Sequence, residues 1–155
     1  MRIADIDYII AITIGQSLER RTHMAEKGSW TRSPIVGGIV GVFAGGLTIL
    51  LVQSLGHRLF GTGDLTDPSS ITTPMFASVL VAWILGASVA GWLGTYWARS
   101  QSTVLGTIAG LVLLAGSVSN MIAIPHPTWM MIAAVVLMPV AAIVAARRAA
   151  APNAG

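Results

Sequence analysis

The chain contains no cysteine in its 155 residues. Disulfides, thiolate metal sites and thiol redox chemistry, quinone-linked thiol oxidation among them, are therefore excluded. Charge is nearly as scarce: Asp, Glu, Lys and Arg make up 10% of the chain, against about 25% in ordinary soluble domains. A soluble fold of this length needs more charge than that to cover its surface. Four long stretches hold no charged residue at all, at positions 34–56, 74–98, 103–124 and 128–146. An ionisable group in mid-membrane is the usual mark of an ion or proton pathway, and none of these stretches carries one. A proton-coupled multidrug exporter of similar size needs such a buried carboxylate, so the chain does not read as one. Nor can a nucleophile–base pairing be read from the residues, and no enzyme activity or bound cofactor is expected.

What is present is apolar residue, at 54% of the chain, laid down in runs rather than in amphipathic stripes. A membrane-spanning helix needs about 20 such residues at 1.5 Å each. All four charge-free stretches reach or nearly reach that length. The expected fold is all-α, an integral membrane four-helix bundle. Pro34 and Pro74 open the first two stretches, where a missing N–H has no helical partner to lose. Pro125 and Pro127 bracket a tight turn between the third and fourth, and Pro139 inside the fourth predicts a kink.

The net charge of +3 and the pI near 10.2 do not point to nucleic acid. The basic residues stand at the ends of apolar blocks and form no basic face; the expected partner is the lipid bilayer. Arg2, Arg20, Arg21, Lys27 and Arg32 precede the first helix, Arg99 separates the second from the third, and Arg147 and Arg148 close the fourth. Of the nine basic residues only Arg58, with Asp64 and Asp67 nearby, falls on the other side. Positive residues stay on the cytoplasmic side, so both termini are expected in the cytoplasm of a bacterial inner-membrane protein. Trp30, Tyr96 and Trp97 then fall near the inner interface and Trp129 near the outer one, as aromatic belts do.

Three regions follow: a cytoplasmic N-terminal segment at 1–33, the four-helix membrane domain at 34–148, and a disordered tail at 149–155. In the first, Ile3, Ile6, Ile10, Ile14 and Leu18 share one side of a helical wheel beside Asp5, Asp7, Gln16 and Glu19. That pattern reads as a short interfacial helix on the membrane surface. Its rival is a translation start at Met24, whose Met-Ala-Glu-Lys-Gly lies about ten residues before the first helix. A signal peptide does not fit, because the apolar run at 8–14 follows acidic residues and lacks a cleavage site.

Small residues recur every four positions in the spans: Gly37, Gly41 and Gly45 on the first helix, Gly86, Ala90 and Gly94 on the second, Gly106 and Gly110 on the third. This spacing puts them on one helix face and lets a neighbouring backbone approach closely. Packing among the protein's own helices is the commoner use. The other is a homo-oligomer joined through Gly37, Gly41, Gly45, Gly86 and Gly94.

Polar residues at depth are few. Gln53 and Asn120 both fall in the outer halves of their helices, and a hydrogen bond between them would join helices one and three, contributing about 1 kcal/mol. At the outer surface the topology places His57, His126, Asp64 and Asp67 on the same side. Imidazole nitrogens with carboxylate oxygens suit Zn²⁺ or another borderline divalent ion, and the two histidines are the pH-responsive groups there. Each also has a local role open to it. His57 beside Arg58 suits a helix C-terminus, Asp67-Pro68 is a turn-forming pair, and His126 can bond a backbone carbonyl in its turn. His23 lies on the opposite side and cannot join the cluster.

On Leu55-Gly56-His57, on Asp64-Leu65-Thr66-Asp67-Pro68, on Trp83 with Gly86, and on Pro125-His126-Pro127-Thr128-Trp129, the chain resembles uncharacterised small four-pass bacterial inner-membrane proteins. The likeness covers positions 33–148 and leaves the N-terminal segment outside. Where such proteins carry a proline-rich step after the Gly-His pair, this chain has Gly61-Thr62-Gly63, so no loop shape carries over. The resemblance implies the four-pass fold and no activity. The expected function is a non-enzymatic accessory or structural component of the membrane. Two alternatives are an oligomeric channel or facilitator lined by Ser, Thr and Gly, and a metal- or haem-binding protein using His57 and His126.

Overall fold

The computed structural model describes residues 33–61, 63, 64, 67, 70–98 and 103–150. The interfacial helix expected near the N-terminus, the alternative start at Met24, and Trp30 lie outside the described residues, as do positions 151–155. Among the described residues there are four helices and no strand: α1 (Pro34–Phe60), α2 (Thr73–Trp97), α3 (Val104–Ala123) and α4 (Thr128–Ala150). All four are long and apolar enough to cross a membrane. The chain is an all-α, multi-pass membrane protein built as a four-helix bundle.

The ends of the helices follow local chemistry. α1 runs four residues past the charge-free stretch, through His57 and Arg58 to Phe60, because loss of apolar character ends the hydrocarbon and not the helix. Gly61 stops it: its φ of +88° is left-handed backbone, and its N–H donates to the His57 carbonyl at 2.9 Å, a glycine C-cap. α2 carries Pro74 in its first turn, and the N–H of its N-cap residue Thr72 donates to Met75 Sδ at 3.3 Å. α4 likewise continues past Arg148 to Ala150, unbroken through Pro139.

Helix α2 is the centre of the bundle. It packs against each of the other three, while α1 packs on α2 and α3. Within their most apolar windows 44% of α2 is buried against 17% of α1, so α1 is attached to the bundle along one side only.

That side is a seam of backbone. A Cβ placed on Gly37 would lie 2.8 Å from the Gly94 carbonyl oxygen, on Gly41 2.6 Å from that of Ala90, and on Gly45 2.5 Å from that of Gly86. Steps of four on α1 meet steps of four on antiparallel α2, so one register holds along the whole face. The two backbones touch because nothing larger than hydrogen stands between them. Gly37, Gly41, Gly45, Gly86 and Gly94 thus pack inside one chain, the commoner of the two uses open to such residues.

The rest of the core lies between α2 and α4. Phe76, Trp83 and Ala87 pack with Met130, Ala134, Met138 and Ala142; the last four recur every fourth residue and form a single stripe down α4. At the far end Ala142 fits against two glycines, since a Cβ on Gly91 would strike its carbonyl and one on Gly110 its methyl group. Three helices close on that point.

Hydroxyls in the spans turn back onto their own helices. Thr48 donates to the Ala44 carbonyl at 2.8 Å, Ser88 to that of Ile84 at 2.8 Å, and Thr107 to that of Thr103 at 2.9 Å. Such bonds satisfy groups that lipid cannot. Among the described residues Thr95 Oγ1 is the one buried side-chain oxygen left without a partner, pressed against the backbone of Gly106. The expected Gln53–Asn120 bond is not made: no hydrogen bond joins either carboxamide to another described residue.

Candidate functional site

The four residues singled out in the sequence lie at one end of the bundle, in or beside the α1–α2 and α3–α4 connections. His57 stands in the last turn of α1 with Arg58, and its side chain is exposed. There the two basic groups face the negative end of the helix dipole. The connection that follows closes on Ser70. The Asp64 N–H donates to Ser70 Oγ at 2.6 Å, and that hydroxyl lies 2.8 Å from the Asp67 carbonyl oxygen and 3.2 Å from that of Asp64. The Asp67 N–H also donates to the Asp64 carbonyl at 3.0 Å, and the Ser70 N–H to that of Asp67 at 3.0 Å. Asp64 and Asp67 therefore shape a compact turn through their main chains, while both side chains remain exposed.

His126 is held differently. It sits between Pro125 and Pro127, which carry no N–H and break the helical path, and this lets the Ile124 carbonyl turn toward the imidazole. Nδ1 lies 2.6 Å from that oxygen. A carbonyl only accepts, so Nδ1 carries the hydrogen and Nε2 of the neutral ring keeps its lone pair. The ring packs against Phe76 at 5.6 Å and Trp83 at 5.7 Å between centroids, both buried side chains of α2. One bond sets its tautomer and two aromatic faces set its plane. His126 thereby joins the start of α4 to the middle of the bundle.

Among the described residues no three His, Asp or Glu side chains come together to hold a metal ion. Connectivity brings His57, His126, Asp64 and Asp67 to one end of the bundle. His126 turns inward onto α2 while His57 stays exposed. The aromatic pocket around His126 has a faint signal in the sequence: Phe76 and Trp83 are seven residues apart, two turns on one helix face. The junction of Gly91, Gly110 and Ala142 is signalled on its glycine side by small residues spaced four apart, but not at Ala142, one alanine among many in α4.

At the opposite end, α2 finishes in exposed aromatics. Trp92 stacks on Tyr96 with centroids 5.1 Å apart and planes 4° from parallel, and Trp97 follows, also exposed. Trp129 is exposed at the start of α4. Exposed rings thus stand near both ends of the spans, where membrane proteins commonly carry them. No protein-family model, curated protein or solved structure matches the chain.

Proposed function

We propose that this protein is a non-enzymatic accessory or structural component of the bacterial inner membrane, with both termini in the cytoplasm. The observation that carries the reading is the asymmetry of α1. Its glycine seam ties it to α2, and the rest of its circumference presents large apolar side chains outward, among them Ile35, Phe43, Leu47 and Leu51. A helix so placed offers a lateral surface to a neighbour. Orientation rests on the basic residues, which gather at the two termini and at Arg99.

Crosslinking in native membranes, followed by purification and mass spectrometry, tests the assignment. A discrete stoichiometric complex supports it, and a lone monomer under mild crosslinking rejects it. Orientation is read separately, since the native chain has no cysteine. Thr72→Cys should react with an impermeant thiol reagent on intact inner-membrane spheroplasts, and Ala150→Cys only after permeabilisation. The reverse pattern would invert the topology.

A second reading, a metal- or haem-binding protein using His57 and His126, is favoured by one feature. His126 is oriented by its Nδ1–H···O=C bond, as ligating histidines commonly are. Elemental analysis and an optical spectrum of protein purified from membranes decide it; no bound metal and no Soret band would dispose of the idea.

A further inference from the structure

With the seam glycines accounted for, two glycines of α1 remain idle. Nothing stands within 4 Å of a Cβ built on Gly38 or on Gly46. Gly46 is the notch in an apolar groove whose walls include Ile39, Phe43, Ile49 and Leu50, with Leu113 of α3 behind. Seven residues on from Gly46, and so within about 20° of it around the helix, stands Gln53. Its carboxamide has no hydrogen-bond partner among the described residues. It lies about 9 Å along the axis from the helix midpoint, inside a hydrocarbon core about 30 Å thick. The Cβ of a helical residue leans toward the N-terminus, which here means toward mid-membrane and away from the nearer headgroups. Lipid tails offer an amide neither donor nor acceptor.

Something else must satisfy it, and the carboxamide is complementary to itself: one N–H₂ and one C=O on each copy. Ile39, Gly46 and Gln53 follow one another in steps of seven, the spacing at which two parallel helices keep the same face together in a left-handed crossing. The face also carries Phe43, at 76% exposure, beside the open notch at Gly46. A two-fold axis along the membrane normal sets each residue of this face opposite its copy at the same depth, Gln53 against Gln53, as an isologous interface requires.

We propose that α1 pairs with α1 of a second copy along the face of Ile39, Gly46 and Gln53, the two Gln53 side chains hydrogen-bonding across the two-fold axis. A single polar residue in such a seam fixes register and partner number. The proposal deepens the reading of a lateral assembly component by naming the neighbour as this same chain.

The test uses the full chain purified into liposomes at low protein-to-lipid ratio, so that no other protein is present. Leu50 and Leu51 are equally exposed, at 63% each, but Leu50 lies about 40° from Gly46 around the helix and Leu51 about 140°. Leu50→Cys is expected to form a disulfide dimer at least fivefold faster than Leu51→Cys. Gln53→Leu should weaken dimerisation about tenfold. Gly46→Ile should abolish it while leaving the monomer folded, because its own chain leaves that space open. Equal crosslinking of the two cysteines, or a single photobleaching step per particle for the wild type, overturns the proposal. So does a wild-type dimer indifferent to both Gln53→Leu and Gly46→Ile, or a Leu50→Cys adduct that forms only in native membranes and holds a different protein. That last result would leave the accessory reading standing, so the two ideas fail separately.

Discussion

Gly41 and Ala90 meet backbone to backbone: a methyl group added to Gly41 would stand 2.6 Å from the Ala90 carbonyl oxygen. Carbonyls of a helix cannot swing aside as a side chain can, so any larger residue must push α1 away from α2. Gly41→Leu should therefore destabilise the bundle by about 3 kcal/mol, the upper end of the range for overpacking. Leu50→Ala, on the exposed face, should change the monomer's stability by less than about 0.5 kcal/mol. Denaturant titration in bicelles, followed by tryptophan fluorescence, measures both. Equal effects would mean that the seam does not hold α1.

Met138 is fully buried in the α4 stripe, and truncating it leaves a hole between α2 and α4. In water Met→Ala costs about 2–5 kcal/mol, part of it the transfer of the side chain from solvent. In a bilayer the unfolded reference is already apolar, so only lost dispersion and the cavity count. Met138→Ala should cost about 2 kcal/mol, and less than that if a neighbouring side chain relaxes into the space. The same titration reads it.

His126 offers a way to separate ring packing from hydrogen bonding. His126→Phe keeps an aromatic ring beside Phe76 and Trp83 but loses the bond to the Ile124 carbonyl, worth about 1 kcal/mol. His126→Ala loses both and should cost about 1 kcal/mol more, since aromatic pairs contribute that much beyond area. The melting temperatures in detergent should fall in the order wild type, His126→Phe, His126→Ala. A reversed order for the two variants would show that the rings do not hold the turn.

Gly61 carries the left-handed backbone that ends α1. Gly61→Ala places a Cβ where L-residues are strained, at a cost of about 1 kcal/mol. Met75 Cε is near enough, at 3.1 Å, to add a contact that its flexible side chain can relieve. Thermal unfolding of Gly61→Ala beside Gly38→Ala, where space is open, isolates the backbone contribution.

Much of the fold was legible because lipid imposes a simple rule, that charge stays out of long helices. The four charge-free runs locate α1 to α4 to within four residues, and the largest errors fall at Phe60 and Ala150, where helix continues beyond the apolar region. Spacing of four also announced that Gly37, Gly41 and Gly45 share a face. Which helix meets that face was not legible, because periodicity fixes the azimuth of residues on one helix and says nothing of its rotation against another. The same gap explains Gln53 and Asn120, expected to bond from their depth alone. It explains the histidine and aspartate residues too: connectivity assigns His57, His126, Asp64 and Asp67 to one end, while Phe76 and Trp83 draw His126 toward α2 for reasons of packing.

The seam between α1 and α2 has a consequence for how the molecule is made. Its two halves are neighbours in the chain, so every carbonyl and glycine that it needs has been synthesised once Ala98 has left the ribosome. The first two spans can close as a hairpin before α3 and α4 join them, packing backbone against backbone with no contribution from the later helices. What α4 later finds is a finished wall, with Gly91 already presented to receive Ala142. Assembly of this bundle can then proceed in the order of translation.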